Sequence, residues 1–255
     1  MKRLFSITAC IALAAGTVVA QTPAVPAFDV ATIKLSQPET AGPLIGISAG
    51  RLTLTSFTFK ELMMYAYWIH PSQVLGAAGW TDSEKFDIVA KPEGGQTPEE
   101  QLRKMLQTLL ADRFKLKFHR DKKLLPAYAL VVGENGPNMK ARTPGDGGPG
   151  FRLVPQGPRL PGRNASVAQL AFVLQAVVMD RPVLDETGLT GNFDFDLSWT
   201  PNETQFGGRG GKMTADPDSP DIFTAVQEQL GLNLEPQKGP VAVLVIDHVE
   251  RPTDN

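Results

Sequence analysis

Apolar and polar positions divide this chain into short strands and amphipathic helices. Phe28-Asp29-Val30-Ala31-Thr32-Ile33-Lys34 alternates in type and predicts a strand. Thr58-Phe59-Lys60-Glu61-Leu62 opens a helical run, with a hydroxyl at the cap and Glu61 three residues later, the reciprocal capping box. On that helix Leu62, Tyr65 and Ile69 share one face and are expected in the core, which leaves Tyr67 and Trp68 as the exposed pair. Lys85 to Ala90 alternates and predicts a strand, and Pro98 then precedes Leu102, Met105, Leu106, Leu109 and Leu110 at the spacing of a helix. A strand follows at Phe114 to Phe118, then a hairpin turn at Asp121-Lys122-Lys123 and a closing strand at Tyr128 to Val132.

The second half repeats this order. Ser166-Val167-Ala168-Gln169-Leu170 has the same capping pattern, Arg181 to Asp185 answers Gln73 to Gly76, and Asn192 to Leu197 answers Lys85 to Ala90. The spacings Thr58 to Ser166, Leu75 to Leu184 and Phe86 to Phe193 are 108, 109 and 107 residues. Ser219 is expected to cap a helix with Pro220 at its first position, and the strands Leu232 to Leu234 and Val241 to Ile246 close the chain. A preceding strand is expected between Arg152 and Leu160. The pattern predicts an α+β fold made by tandem duplication of a helix-on-sheet unit, with antiparallel or mixed sheets, because period-2 strands and hairpins argue against a doubly wound parallel sheet.

Lys2 and Arg3, an apolar run to Val19 and small residues through Ala20 form a secretory leader, so residues 1–20 are expected to be removed. Cys10 stands after Ile7-Thr8-Ala9 like a lipidated cysteine, but it lies inside the apolar run, and cleavage after Ala20 is favoured. The expected organisation is a first unit over 21–134, a Gly/Pro-rich linker over 135–150, and a second unit over 151–255 with a mobile loop at 202–217. The leader takes with it the one cysteine, so an exported body would rest on packing alone. It also leaves 23 basic residues against 27 acidic ones, which excludes a strongly basic nucleic-acid surface. No later segment is apolar enough to span a membrane.

Phe28 to Lys34, Phe86-Asp87-Ile88-Val89-Ala90-Lys91, Leu110-Ala111-Asp112-Arg113-Phe114 and, above all, Pro182-Val183-Leu184-Asp185-Glu186-Thr187-Gly188-Leu189-Thr190-Gly191-Asn192-Phe193-Asp194-Phe195 carry a resemblance. They resemble a large family of exported proteins of unknown function, expanded in soil Acidobacteria. Similar domains are fused behind membrane metallopeptidases of the antibiotic-sensor type, which implies a periplasmic sensing or interaction role. Each unit is also similar in pattern to the short N-terminal interaction domains of secretins and TonB-dependent receptors, an analogy of fold that does not carry function.

Candidate chemistry is sparse. His70, His119 and His248 have no second ligand at helical spacing, so no metal site is expected. Asp194 and Asp196 project from one strand face opposite Phe193, Phe195 and Leu197, with Asp185 and Glu186 close in sequence. A carboxylate cluster there would suit general acid and base work, with His119 as a possible helper, or calcium. However, Leu197 stands where a calcium loop needs glycine, and an amphipathic strand explains the same residues. No Gly-x-Ser-x-Gly elbow is present. Tyr67, Trp68 and Trp80 join apolar area to polar tips and are candidates for a ligand surface.

The sequence therefore favours a non-catalytic exported envelope module that binds a protein, peptide or glycan without a cofactor. Its candidate binding residues are Tyr67, Trp68, Trp80, Asp185, Glu186, Asp194 and Asp196, and no catalytic set is assigned. The alternatives are a periplasmic sensory domain acting with a membrane partner, and a carboxylate-dependent hydrolase.

Overall fold

The computed structural model describes residues 25–37, 43–48, 50–77, 79–94, 97–143, 158–208, 210–213 and 218–252. The expected leader, the linker beyond residue 143, the strand segment 152–157 and residues 209 and 214–217 of the expected loop lie outside the described residues. The fold is α+β, and the described residues form three sheets, antiparallel or mixed.

The first sheet has the order β1-β5-β3-β2, from β1 (Val30–Leu35), β2 (Leu44–Ser48), β3 (Arg51–Thr58) and β5 (Lys85–Lys91), all antiparallel. Helix α1 (Phe59–Tyr67) begins where β3 ends: Thr58 Oγ1 accepts the Glu61 N–H, and the Glu61 carboxylate accepts the Thr58 N–H. Phe59, Leu62, Met63 and Ala66 are its buried face, while Tyr65 and Ile69 only flank the core. Helix α2 (Glu99–Arg113) adds Leu106, Leu109 and Leu110 to the same core.

The second sheet has the order β7-β10-β8, from β7 (Lys140–Ala141), β8 (Arg159–Ala165) and β10 (Phe193–Ser198). Helix α3 (Val167–Val173) follows β8, capped reciprocally by Ser166 and Gln169, and runs on into a π-turn at Leu174–Val178. A one-turn segment, α4 (Gln205–Gly208), packs on that π-turn. Helix α5 (Ile222–Leu230) is capped by Asp221, not Ser219 as the sequence suggested. The Asp221 carboxylate accepts the Phe223 and Thr224 N–H groups, whereas the Ser219 carbonyl serves Thr200.

Both strand-to-helix junctions contain a bulge. In β3 the register slips between Leu54 and Phe57, Ser56 takes a left-handed φ of 62°, and its N–H donates to Asp87 at 2.8 Å. In β8–β10 the slip falls between Phe193 and Phe195, Asn164 has φ 53°, and its N–H donates to Asp194 at 2.9 Å. An extra residue bends the strand and aims the chain into the helix, and the aspartate satisfies the N–H that the ladder drops. Asparagine tolerates this conformation better than serine. The Ser56 hydroxyl is, in addition, buried without a hydrogen-bond partner among the described residues. Ser56→Gly removes both penalties against a smaller cost in unfolded-chain entropy, so it is expected to raise stability by about 1 kcal/mol in urea titration. A loss of stability would show that the hydroxyl is needed.

The third sheet, order β4-β11-β6-β9, belongs to both halves. Strands β6 (Lys117–Val132) and β11 (Leu232–His248) pair antiparallel along their length. Short β4 (Val74–Leu75), from the first half, lies parallel to the end of β11, and β9 (Val183–Asp185), from the second, lies parallel to the end of β6. The cores follow this exchange. Leu244 and Ile246 complete the first core, and Tyr128 and Leu130 complete the second.

The expected hairpin at Asp121-Lys122-Lys123 is absent, since those residues pair with Val243, Ala242 and Val241 inside a continuous strand. Likewise Leu232–Leu234 and Val241–Ile246 are two ends of one strand. The polar stretch that looks like a turn is where the ribbon passes from one core to the other, and its side chains from His119 to Pro126 are exposed or half-buried. Pro126, Pro236 and Pro240 are tolerated because β9 and β4 do not reach them, so each lies where its own strand has a free edge.

Candidate functional site

A cleft of about 870 Å3 opens between the two halves. One wall is the C-terminal end of α1 (Ala66, Tyr67, Trp68) and the N-terminal half of α2, and the other is the start of α3 with Asn164 and Asn192. Its size falls within the roughly 300–1,000 Å3 of small-ligand sites.

Trp68 holds the walls together. It ends α1 in the left-handed conformation, φ 55°, so its indole leaves the helix axis and reaches α3. There it stacks on Phe172 at 3.8 Å between centroids, and the Arg103 guanidinium lies 3.9 Å from the same ring. Groups at those distances take opposite faces, giving an aromatic–cation sandwich across the halves. The expectation that Tyr67 and Trp68 are exposed is therefore corrected: both are half-buried, and Tyr67 packs edge-on against Phe118 at 5.1 Å. Burial pushes the Tyr67 phenol up to about 12, partly offset by Arg120.

The polar lining is braced. On α2, Glu99 pairs with Arg103 at 3.0 Å and Glu100 with Lys104 at 2.8 Å, each one helical turn apart. The Lys104 ammonium holds the Glu100 carboxyl below the usual range. Gln107 donates from Nε2 to the Ala66 carbonyl at 2.7 Å. Across the cleft, Gln169 Oε1 accepts the Ser166 N–H, and Asn192 Nδ2 donates to Asn164 Oδ1 at 3.0 Å. One end of each amide is thus fixed by the protein, which orients the other.

The halves also meet at His70, which is 7% exposed. Its Nδ1 accepts the Ser72 N–H and meets Ser72 Oγ at 2.8 Å, while the ring bonds the Met179 backbone and faces Asp180. Burial lowers its pKa from 6.5 to about 4, against the opposing influence of Asp180 and the Met179 bond. Nearby, the Gln73 amide donates to the Ala242 carbonyl of β11 at 2.8 Å.

The carboxylates singled out from sequence each have separate partners. Asp194 pairs with Arg142 at 2.8 Å, and Asp196 receives two hydrogen bonds from Arg159, at 2.9 and 2.5 Å. Those arginines hold both carboxyls below the ordinary range. As the alternation predicted, Phe193, Phe195 and Leu197 are buried behind them. Asp185 closes a turn by accepting from the Thr187 N–H and hydroxyl, and Glu186 accepts from Gln237. His119 pairs with Asp247 at 2.8 Å. Trp80 covers Phe59 and Phe86, with Arg251 5.3 Å from its ring. Among the described residues no three His, Cys, Asp or Glu side chains group as metal ligands, and no helix is long and apolar enough to cross a membrane.

Of the residues singled out in the sequence, the cleft therefore gathers Tyr67 and Trp68 and leaves Trp80, Asp185, Glu186, Asp194 and Asp196 elsewhere. It adds Gln107, which had no sequence signal, Gln169, whose signal was for capping, and Asn192, which stood out only as part of the Pro182–Phe195 motif and its strand. No curated protein and no solved structure matches the chain. A family model described as a protein of unknown function, DUF3738, matches residues 60–249, and the chain belongs to that family.

Proposed function

We propose that this protein is a non-catalytic, exported binding module of the cell envelope, and that the cleft between its halves is the ligand site. The observation that carries the reading is that one braced cleft draws its walls from both halves. Its acids are each matched to a cation one turn away, which suits holding a ligand better than transferring protons. The leader pattern supports export.

We further propose that the two halves descend from one duplicated unit. The support is local and repeated. Thr58 and Ser166 head equivalent capping boxes, Ser56 and Asn164 make the same left-handed bulge against Asp87 and Asp194, and β4 and β9 exchange places symmetrically on the long ribbon. On this view the cleft is a junction between repeats, where duplicated units gain a surface that neither has alone.

The test is retention. Immobilised protein is exposed to a fractionated envelope extract alongside Lys104→Trp, which fills the cleft from an exposed helical position. The native protein should retain a component that the filled variant does not. Identical retention by both would remove the cleft from the function.

A further inference from the structure

We propose, building on the cleft reading, that the ligand is a neutral oligosaccharide, a class that includes chitohexaose in its fully N-acetylated form. Three features of the lining select it.

First, the charges of α2 are closed into the pairs Glu99–Arg103 and Glu100–Lys104, so the wall favours neither sign of ligand. A charged polymer therefore finds no surplus of opposite charge on this wall to draw it in.

Second, the remaining polar groups are oriented amides. Gln107 has its Nε2 tied to Ala66 and keeps Oε1 as an acceptor. Gln169 has Oε1 tied to Ser166 and keeps Nε2 as a donor, and Asn192 has Nδ2 tied to Asn164 and keeps Oδ1. Fixed donors and acceptors on facing walls match adjacent sugar hydroxyls, each of which both gives and takes a hydrogen bond.

Third, the walls are mostly helical. A helical wall presents no continuous strand edge, so the main-chain ladder that captures an extended peptide has little to form on here. Trp68 is stacked on both faces and forms no apolar slot for a peptide side chain. Tyr67, half-buried on the lining and T-shaped against Phe118, is the ring we assign to the C–H face of a sugar.

The experiment is calorimetric titration of the full chain with cellohexaose, maltohexaose and fully N-acetylated chitohexaose, beside an oligogalacturonate and a mixed decapeptide library. Native protein, Gln107→Ala and Lys104→Trp are compared, with far-UV dichroism to confirm that the variants are folded. The expected result is saturable binding of a neutral hexasaccharide, weakened about tenfold in Gln107→Ala, as loss of one directed hydrogen bond requires, and abolished in Lys104→Trp. Cleft-dependent binding of the oligogalacturonate or of peptides alone would overturn the oligosaccharide assignment and leave the cleft as the ligand site. If no neutral sugar binds while the filled variant still loses a component of the extract, the oligosaccharide again falls alone. Binding that is the same in the filled variant overturns both.

Discussion

Residues 25–143 produced alone will not fold cooperatively. That fragment contains a complete-looking unit, with β1 to β6, α1 and α2, and the Gly/Pro pattern after it invites a cut. Yet its core is finished by Leu244 and Ile246 of β11, 2% and 7% exposed, and β4 has β11 as its ladder partner. Losing two buried aliphatic side chains removes about 1.5–3 kcal/mol each. β6 also loses the strand it pairs with from Phe118 to Val132. Together these are comparable with the roughly 5–15 kcal/mol total stability of an ordinary domain. In urea, followed by far-UV dichroism, the whole chain should show one sigmoidal transition and the fragment a gradual, baseline-like change. A fragment with a sharp transition near that of the whole chain would mean that the ribbon is not what completes each core.

Between pH 6.5 and 4 the protein should lose about 3 kcal/mol of stability through His70 alone. The ring is buried, and its Nδ1 accepts the Ser72 N–H, an arrangement that protonation at that atom destroys. Its pKa falls from 6.5 to about 4 on folding. In that window the unfolded chain binds the proton and the folded one does not, so stability rises with pH across it and falls as the solution is acidified. The full contribution is present above pH 6.5 and is gone below pH 4, a difference of about 3 kcal/mol at 1.36 kcal/mol per unit. His70 caps the short helical turn Pro71–Gln73, and His70→Asn keeps a side-chain acceptor there without a titrating group. It should be less stable than the parent at pH 7, and its stability should flatten between pH 6.5 and 4. Equal slopes in the two proteins would place the acid sensitivity elsewhere.

Much of the fold could be read from the sequence where the governing interactions are local. The capping boxes at Thr58 and Ser166, the Leu-rich face of α2 and the alternation at Phe193 to Leu197 are each set by residues within one or two turns, and each appears where the pattern puts it. The ribbon was misread for a physical reason. Polar residues with Pro and Gly mean a turn when a strand ends at the surface, and they look the same when one strand runs on from the first core to the second with its outer side chains in water. The site was harder still. Trp68 meets Phe172, and Gln107 faces Gln169, only because segments from different halves converge, and no periodicity records such a meeting. Tyr67 and Trp68 were noticeable as aromatic residues, but sandwiching of the indole by Arg103 depends on a left-handed helix end that nothing in the local sequence announces, Trp68 being neither Gly nor Asn. The aspartates drew notice because acids are conspicuous, whereas the arginines that neutralise them, Arg142 and Arg159, lie on other strands or loops.

Side-chain amide resonances in a nitrogen-15 correlation spectrum test the central claim most directly, because Gln107, Gln169 and Asn192 stand on opposite walls of one cleft. Titrated with the envelope component that the native protein retains, the three should shift together and saturate at a single dissociation constant, while amides on β2, β7 and the middle of the ribbon stay in place. Shifts centred on those outer strands, with the three cleft amides unmoved, would contradict the assignment of the ligand site to the junction of the halves.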